Sequence, residues 1–471
     1  MTALGLAASA ARGRAPFGGP WMGELGATLS LAAPLVLTNL AQHALMATDV
    51  VLLGRLGAPE VAAGALATSL YFVLFICGIG LTAAVSPLIA GALGRDRNAT
   101  DEVRRIVRSG VWAVGLVTAP LMLLLWHTGR ILAAIGEPAE LASAAGTYMR
   151  ALQWSMAPAL LFMVLRASLS ALQRPVWPLL VSVATLPVNV GLALWLAFEG
   201  PGRIGLGPVG VGLATTLASL FSLGALVAIV LCDRHLRPYR AFARLWHFDA
   251  GRLASLFRLG LPMAATGLAE AGLFEAAVLG MGLFGTAQLA AHAVVIQIAA
   301  FCFMVPNGVA QAATVRVGLA YGARDGEASR RAGKVALGLG FGFMALCAVT
   351  QLSVPQTLIG LFLDLSNAQN ASVLPYATGF LGLAALFAIA DGVQSVALGM
   401  LRGLQDTRVP MLIALFGYWG IGVPSGIALA WGFGVEGYGI WIGFCAGLFV
   451  VSVLLVARWR RLVEGGLTVH R

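Results

Sequence analysis

Twelve apolar runs follow one another along this sequence, each exceeding the roughly 20 residues that carry a helix across a ~30 Å hydrocarbon core. They lie at about 25–53, 61–91, 106–127, 141–171, 176–198, 209–231, 256–284, 289–319, 335–363, 374–402, 409–431 and 434–457. Strand spans would be shorter and would alternate in polarity, which these do not. With 59% hydrophobic and only 11% charged residues, the chain cannot furnish the charged surface of a soluble globule. The fold class that follows is an all-α polytopic membrane protein of twelve transmembrane helices.

The runs repeat a single design. Shifted by 228 residues, Pro34 to Gly94 aligns without a gap on Pro262 to Gly322, with 16 of 61 positions identical. The matches include Pro34/Pro262, Gly54/Gly282, Gly57/Gly285, Gly80/Gly308 and Gly94/Gly322, positions that shape backbone. Leu172-Gln173 with Pro178 returns 232 residues later as Leu404-Gln405 with Pro410. Each half therefore holds six spans, and an even number gives both halves the same orientation, as in a parallel repeat. Read linearly, residues 1–20 form a tail, 21–231 the first lobe, 232–255 a linker, 256–457 the second lobe and 458–471 a second tail.

The net charge of +10 is distributed as a membrane protein distributes it, which argues against nucleic acid as a partner. Arg55, Arg130, Arg150 and Arg203 follow helices 1, 3 and 5. Nearly all the other basic residues fall at Arg95–Arg108, Arg166–Arg174, Arg234–Arg258, Arg316–Lys334, Arg402–Arg408 and from Arg458 onward, in or near the opposite set of loops. The positive-inside rule then puts both termini in the cytoplasm. The segment before Trp21 lacks the apolar core of a secretory signal and reads as a disordered cytoplasmic tail. Five scattered cysteines (Cys77, Cys232, Cys302, Cys347, Cys445) show no metal spacing and read as small core residues. No Ser/His or metal-ligand cluster points to an enzyme, and the six histidines have no ligand spacing. Abundant glycines within the spans indicate close helix packing, and Pro34, Pro187, Pro262 and Pro424 mark turns where a helix bends.

Acids are the informative residues here, because an Asp at the centre of a bilayer helix costs about 2.5–3.5 kcal/mol on insertion scales. Asp49 lies in helix 1, Glu270 and Glu275 in helix 7, and Asp391 midway along helix 10, none with a Lys or Arg within one turn of its own helix. Such carboxylates bind a metal cation, bind an organic cation or take up a proton, and all three are transport roles. Five residues turn a helix by about 500°, which sets Glu275 off the face of Glu270.

The order of Pro34, Gln42, Asp49, Gly54 and Leu56-Gly57, then Gly80 and Pro87, is informative as a set. The second half carries Gly260-Leu261-Pro262, Glu270, Ala290-Ala291-His292, Pro306 and Arg316-Val317-Gly318, then Asp391, Leu401-Arg402-Gly403-Leu404-Gln405-Asp406, Gly417-Tyr418-Trp419 and Pro424. Together these residues resemble the MATE family of multidrug and toxic-compound extrusion transporters, over nearly the whole chain after residue 20. The resemblance implies two pseudo-symmetric six-helix lobes forming a V around a central cavity, and export of cationic or amphiphilic small molecules by antiport against Na+ or H+. It implies a NorM-like cation site at Glu270 and Asp391, with Na+ as a candidate ligand, and a second coupling acid at Asp49. Gln42, Thr185, Asn189 and Thr215 are its supporting polar residues; Thr185 departs from the family, which has asparagine in that helix 5 pattern. Asn189 and Thr185, four residues apart, are expected to face Asp49 together. Tyr71, Phe72, Phe301, Phe303, Tyr418 and Trp419 are candidates for stacking on planar substrates, among which Tyr71, Phe301, Tyr418 and Trp419 are placed at the cavity. The expected setting is a monomer in a bacterial inner membrane, with no cofactor beyond the coupling ion. A flippase for lipid-linked oligosaccharides of the same superfamily is the alternative; its pyrophosphate would call for cavity arginines where this chain has acids.

Overall fold

The computed structural model describes residues 19–198, 205–367 and 370–465; the expectations for the chain ends at 1–18 and 466–471, and for Arg203, fall outside them. Twelve helices among the described residues are long and apolar enough to cross a bilayer. They are α1 (Pro20–Leu56), α2 (Ala58–Arg95), α3 (Thr100–Trp126), α4 (Ala139–Ala171), α5 (Val176–Ala197), α6 (Pro208–Cys232), α7 (Ala250–Leu283), α8 (Thr286–Gly322), α9 (Gly326–Ser353), α10 (Leu374–Gly403), α11 (Arg408–Gly432) and α12 (Gly437–Glu464). At 37 residues, α1 and α8 each run to about 55 Å, well beyond the hydrocarbon core. Two helices are locally rewound: α4 tightens into a 3₁₀ turn at Gln153–Ser155, and α11 widens into π turns at Phe416–Gly422 and Ala428–Gly432, either side of Pro424.

The repeat reappears as matched backbone features. Gly57 and Gly285 break α1 from α2 and α7 from α8 with φ of 152° and 107°, values that an L side chain rarely adopts. Gln173 and Gln405 close the fourth helix of each half in the left-handed region, with φ of 59° and 61°. In each case the next amide reaches back to a helix carbonyl: Arg174 N to Leu169 O at 2.8 Å, and Asp406 N to Leu401 O at 3.0 Å. A non-glycine residue there is tolerated because the two backbone hydrogen bonds that it closes offset a left-handed cost of about 1–2 kcal/mol.

Compactness divides the described residues into two units. An N-unit runs from Leu37 to Ala264, and a C-unit joins the residues up to Val36 to those from Ala265 onward. Both boundaries fall two residues past a repeated proline, Pro34 in α1 and Pro262 in α7. The opening turns of α1 thus count with the second half of the chain and those of α7 with the first. Two glycines permit this. A β-carbon at Gly80 of α2 would strike the backbone of Ala264, and one at Gly308 of α8 would strike that of Val36, both within one unit and at equivalent repeat positions.

A charged pair fastens each exchanged segment. In the C-unit, Arg316 of α8 donates from Nε and Nη2 to the two carboxylate oxygens of Glu24 in α1, at 2.7 and 2.6 Å. In the N-unit, Arg252 of α7 donates to Glu102 of α3 at 2.7 Å, and Arg95 donates to the same oxygen at 2.8 Å. Arg108, Arg166, Arg316 and Arg402 sit within helices, and Arg108 and Arg166 are each only 8% exposed. Arg166 and Arg316 find polar partners on α1, whereas Arg108 donates to the Arg244 carbonyl of the linker at 3.4 Å.

Candidate functional site

Each unit holds a carboxylate among polar side chains. In the N-unit, Asp49 of α1 accepts at Oδ2 from the Thr215 hydroxyl of α6 at 2.8 Å. Asn189 of α5 stands beside it, fully buried and within hydrogen-bonding reach of the carboxylate. Tyr148 lies near the same carboxylate and near Tyr71, whose hydroxyl is shared with Ser155 Oγ at 2.9 Å. Thr185 is directed elsewhere: its hydroxyl is 2.7 Å from both the Val181 carbonyl and Ser222 Oγ. Gln42 is likewise engaged away from Asp49, accepting from Arg166 Nη1 of α4 at 2.8 Å. The other Arg166 nitrogen, Nη2, donates to Asn39 Oδ1. Arg166 is the residue that sequence reasoning missed, although Asn39 and Gln42, three apart on an apolar helix, already marked a polar stripe.

In the C-unit, Asp391 is 5% exposed at the middle of α10. One turn on, Gln394 Nε2 donates to Glu270 Oε1 of α7 at 3.4 Å. Tyr418, on the π-wound turn of α11, is 0% exposed. It lies within electrostatic reach of both carboxylates, with Gln394 as its side-chain hydrogen-bonding neighbour. The two carboxylates also feel each other, and Glu270 feels Arg402, eleven residues beyond Asp391 on the same helix. Eleven residues are about three turns, so Arg402 lies below the acids on one face of α10, and its side chain leans back toward them. That cation is not evident from the sequence, because Arg402 and Glu270 lie on different helices.

The remaining candidates are dispersed. Trp419 is half-exposed and donates to the Ala269 carbonyl at 3.1 Å, one residue before Glu270. Phe301 is exposed beside Phe362, with ring centroids 6.3 Å apart. Tyr418 is enclosed with the acids, and Glu275 is exposed.

Chemically, the C-unit cluster offers two carboxylates and two neutral oxygens, Gln394 Oε1 and Tyr418 Oη. Hard cations take such oxygen sets. No group of three His, Cys, Asp or Glu able to hold a metal occurs among the described residues, so a bound cation would draw on the neutral oxygens as well. The same acceptors are equally suited to protonated carboxyls, which become donors.

The MatE family model matches this chain twice, over residues 34–195 and 262–427. Both matches start on the prolines that bound the repeat, Pro34 and Pro262, and together they cover well over half of the sequence. The chain belongs to the MATE family. A probable multidrug resistance protein NorM of Brucella suis is 48% identical over 442 residues, covering 94% of each chain. The protein of that name from Mesorhizobium japonicum is 47% identical, with the same coverage of both. Among solved structures, the eukaryotic MATE transporter AtDTX14 superposes with a TM-score of 0.83 at 22% identity, over 95% of this chain and 98% of the other. An outward-facing MATE family transporter gives 0.84 at 17% identity, over 95% and 97%, and these two likenesses bear on the fold.

Proposed function

We propose that this protein exports cationic or amphiphilic small molecules across a bacterial inner membrane by antiport, with Na+ or H+ entering at Glu270 and Asp391. The observation that carries the reading is the placement of the buried Asp391 and the half-buried Glu270 within electrostatic reach of each other, beside Gln394 and Tyr418. The multidrug-resistance names of the MATE relatives support drug export over the flippase alternative.

Two desolvated like charges are stabilised by an added cation or proton far more than either is alone. An unloaded site therefore favours a cationic substrate, and a loaded one releases it. Substrate must in turn weaken ion binding by the same factor, which makes the exchange an antiport. Arg402 partly offsets the charge of Glu270, so one added positive charge suffices to neutralise the remainder. Asp49, with Thr215 and Asn189, provides a second titratable site in the N-unit. The chain works as a monomer with both termini in the cytoplasm.

Ethidium efflux from proteoliposomes, with sodium and proton gradients imposed separately, tests the reading. Glu270→Gln or Asp391→Asn is expected to abolish gradient-driven efflux in folded protein. Full coupled efflux in both variants would refute the C-unit site, and loss in Asp49→Asn alone would transfer coupling to the N-unit.

A further inference from the structure

Cys302 of α8 and Cys347 of α9 bring their thiols together inside the C-unit. Cys347 and Gln351 are four residues apart and so share a face of α9. From that face the Gln351 amide donates to Cys302 Sγ at 3.7 Å. Both cysteines are partly exposed, whereas Gln351 is 2% exposed and its Oε1 has no partner. The transport reading uses none of the three.

We propose that Cys302 and Cys347 form a reversible thiol–disulfide site whose oxidant is an organic hydroperoxide, a class that dissolves in the hydrocarbon region where these helices run. The Cys302 sulfur attacks the hydroperoxide O–O bond, forming a sulfenic acid and releasing the alcohol, which carries off the thiol proton. The Cys347 sulfur then attacks the sulfenic sulfur and expels water. Two thiols and one hydroperoxide thus yield one disulfide, one alcohol and one water, and a dithiol reverses the change. Gln351 is a positioning residue: its N–H holds the attacking sulfur, and its unpaired Oε1 is an acceptor for the sulfenic O–H. The resulting bond ties α8 to α9.

The test treats the full-length protein in lipid nanodiscs with cumene hydroperoxide and maps its thiols by maleimide labelling and non-reduced peptide mass spectrometry. A cross-linked peptide pair joining Cys302 to Cys347, lighter by two hydrogens and reversed by dithiothreitol, is the expected result. Cys302→Ser and Cys347→Ser should each abolish the cross-link. Gln351→Leu should slow its formation at least fivefold while leaving the labelling rate of Cys445 unchanged. Oxidised wild-type protein in which both cysteines still take maleimide, or carry sulfinic acids without a cross-link, would overturn the proposal.

Discussion

Gln42 and Glu270 occupy the same position of the 228-residue repeat, and each hydrogen-bonds to the fourth helix of its own half: Gln42 to Arg166, Glu270 to Gln394. The bond is duplicated and its charge is not. The N-unit places a cation on the fourth helix against a neutral amide, whereas the C-unit places an anion on the first helix against a neutral amide. One frame thus carries opposite electrostatics in its two copies.

Arg166→Met removes a buried donor and leaves Asn39 and Gln42 each short of a hydrogen bond. The expected cost is about 1–3 kcal/mol per orphaned group, seen as a lower thermal unfolding midpoint in detergent. Gln42→Ala in the Arg166→Met background should recover part of that loss. An unchanged midpoint in Arg166→Met would show that the guanidinium is not holding α1 to α4.

Glu24 and Arg252 are likewise repeat equivalents with opposite charges, each fastening an exchanged helix segment. Because Glu24 is 6% exposed, Glu24→Gln should destabilise by about 3 kcal/mol, the cost of stranding a buried partner. Exchanging the pair as Glu24→Arg with Arg316→Glu should restore more stability than either single change retains. A double variant no better than the sum of the singles would contradict the pairing.

Alanine at Gly80 or Gly308 drives a β-carbon into the neighbouring backbone, where no side chain can yield. Each substitution should cost about 1–3 kcal/mol, as overpacking does, and reduce the yield of folded protein. Gly115→Ala, which meets nothing within 4 Å on α3, is the control and should leave stability equal or slightly higher. Equal behaviour of all three would exclude close helix approach as the reason for the repeated glycines.

Asp233 in the linker should make stability depend on pH. Partial burial raises its carboxyl, but the His235 amide, the Trp177 indole, the His235 ring and the charge of Arg174 outweigh that and hold it below the usual range. A depressed folded value gives stability that is present above the unfolded value of about 3.9 and is lost as pH falls through the folded one. The stability difference between wild type and Asp233→Asn should therefore shrink as pH drops below about 4. A difference independent of pH from 7 to 3 would contradict this role.

Much of this was legible in the chain. Span length and the duplicated Pro and Gly positions carried the helix count, and the turns at Gly57 and Gly285 and the caps at Gln173 and Gln405 follow that repeat. Asp391 stood out because a buried acid in an apolar helix has few reasons to be there. The partners did not. Arg166 and Arg402 fall within the apolar runs at 141–171 and 374–402, but a long cationic side chain near a helix end is compatible with water or with a buried acceptor. Thr185 and Asn189 share a helix face, yet only Asn189 is beside Asp49, because Ser222 of α6 competes for the threonine hydroxyl. The assignment of the first turns of α1 and α7 to opposite units depends on contacts 150 or more residues apart, which periodicity does not encode.

The most direct test of the central claim is equilibrium binding of ethidium, followed by fluorescence, while Na+ or H+ is titrated against wild type and Glu270→Gln. Competition is expected in wild type, with ethidium affinity falling at least tenfold as the coupling ion saturates, and the dependence should vanish in Glu270→Gln. Ethidium affinity in wild type that is unmoved by both ions, or ion dependence that survives intact in Glu270→Gln, would contradict it.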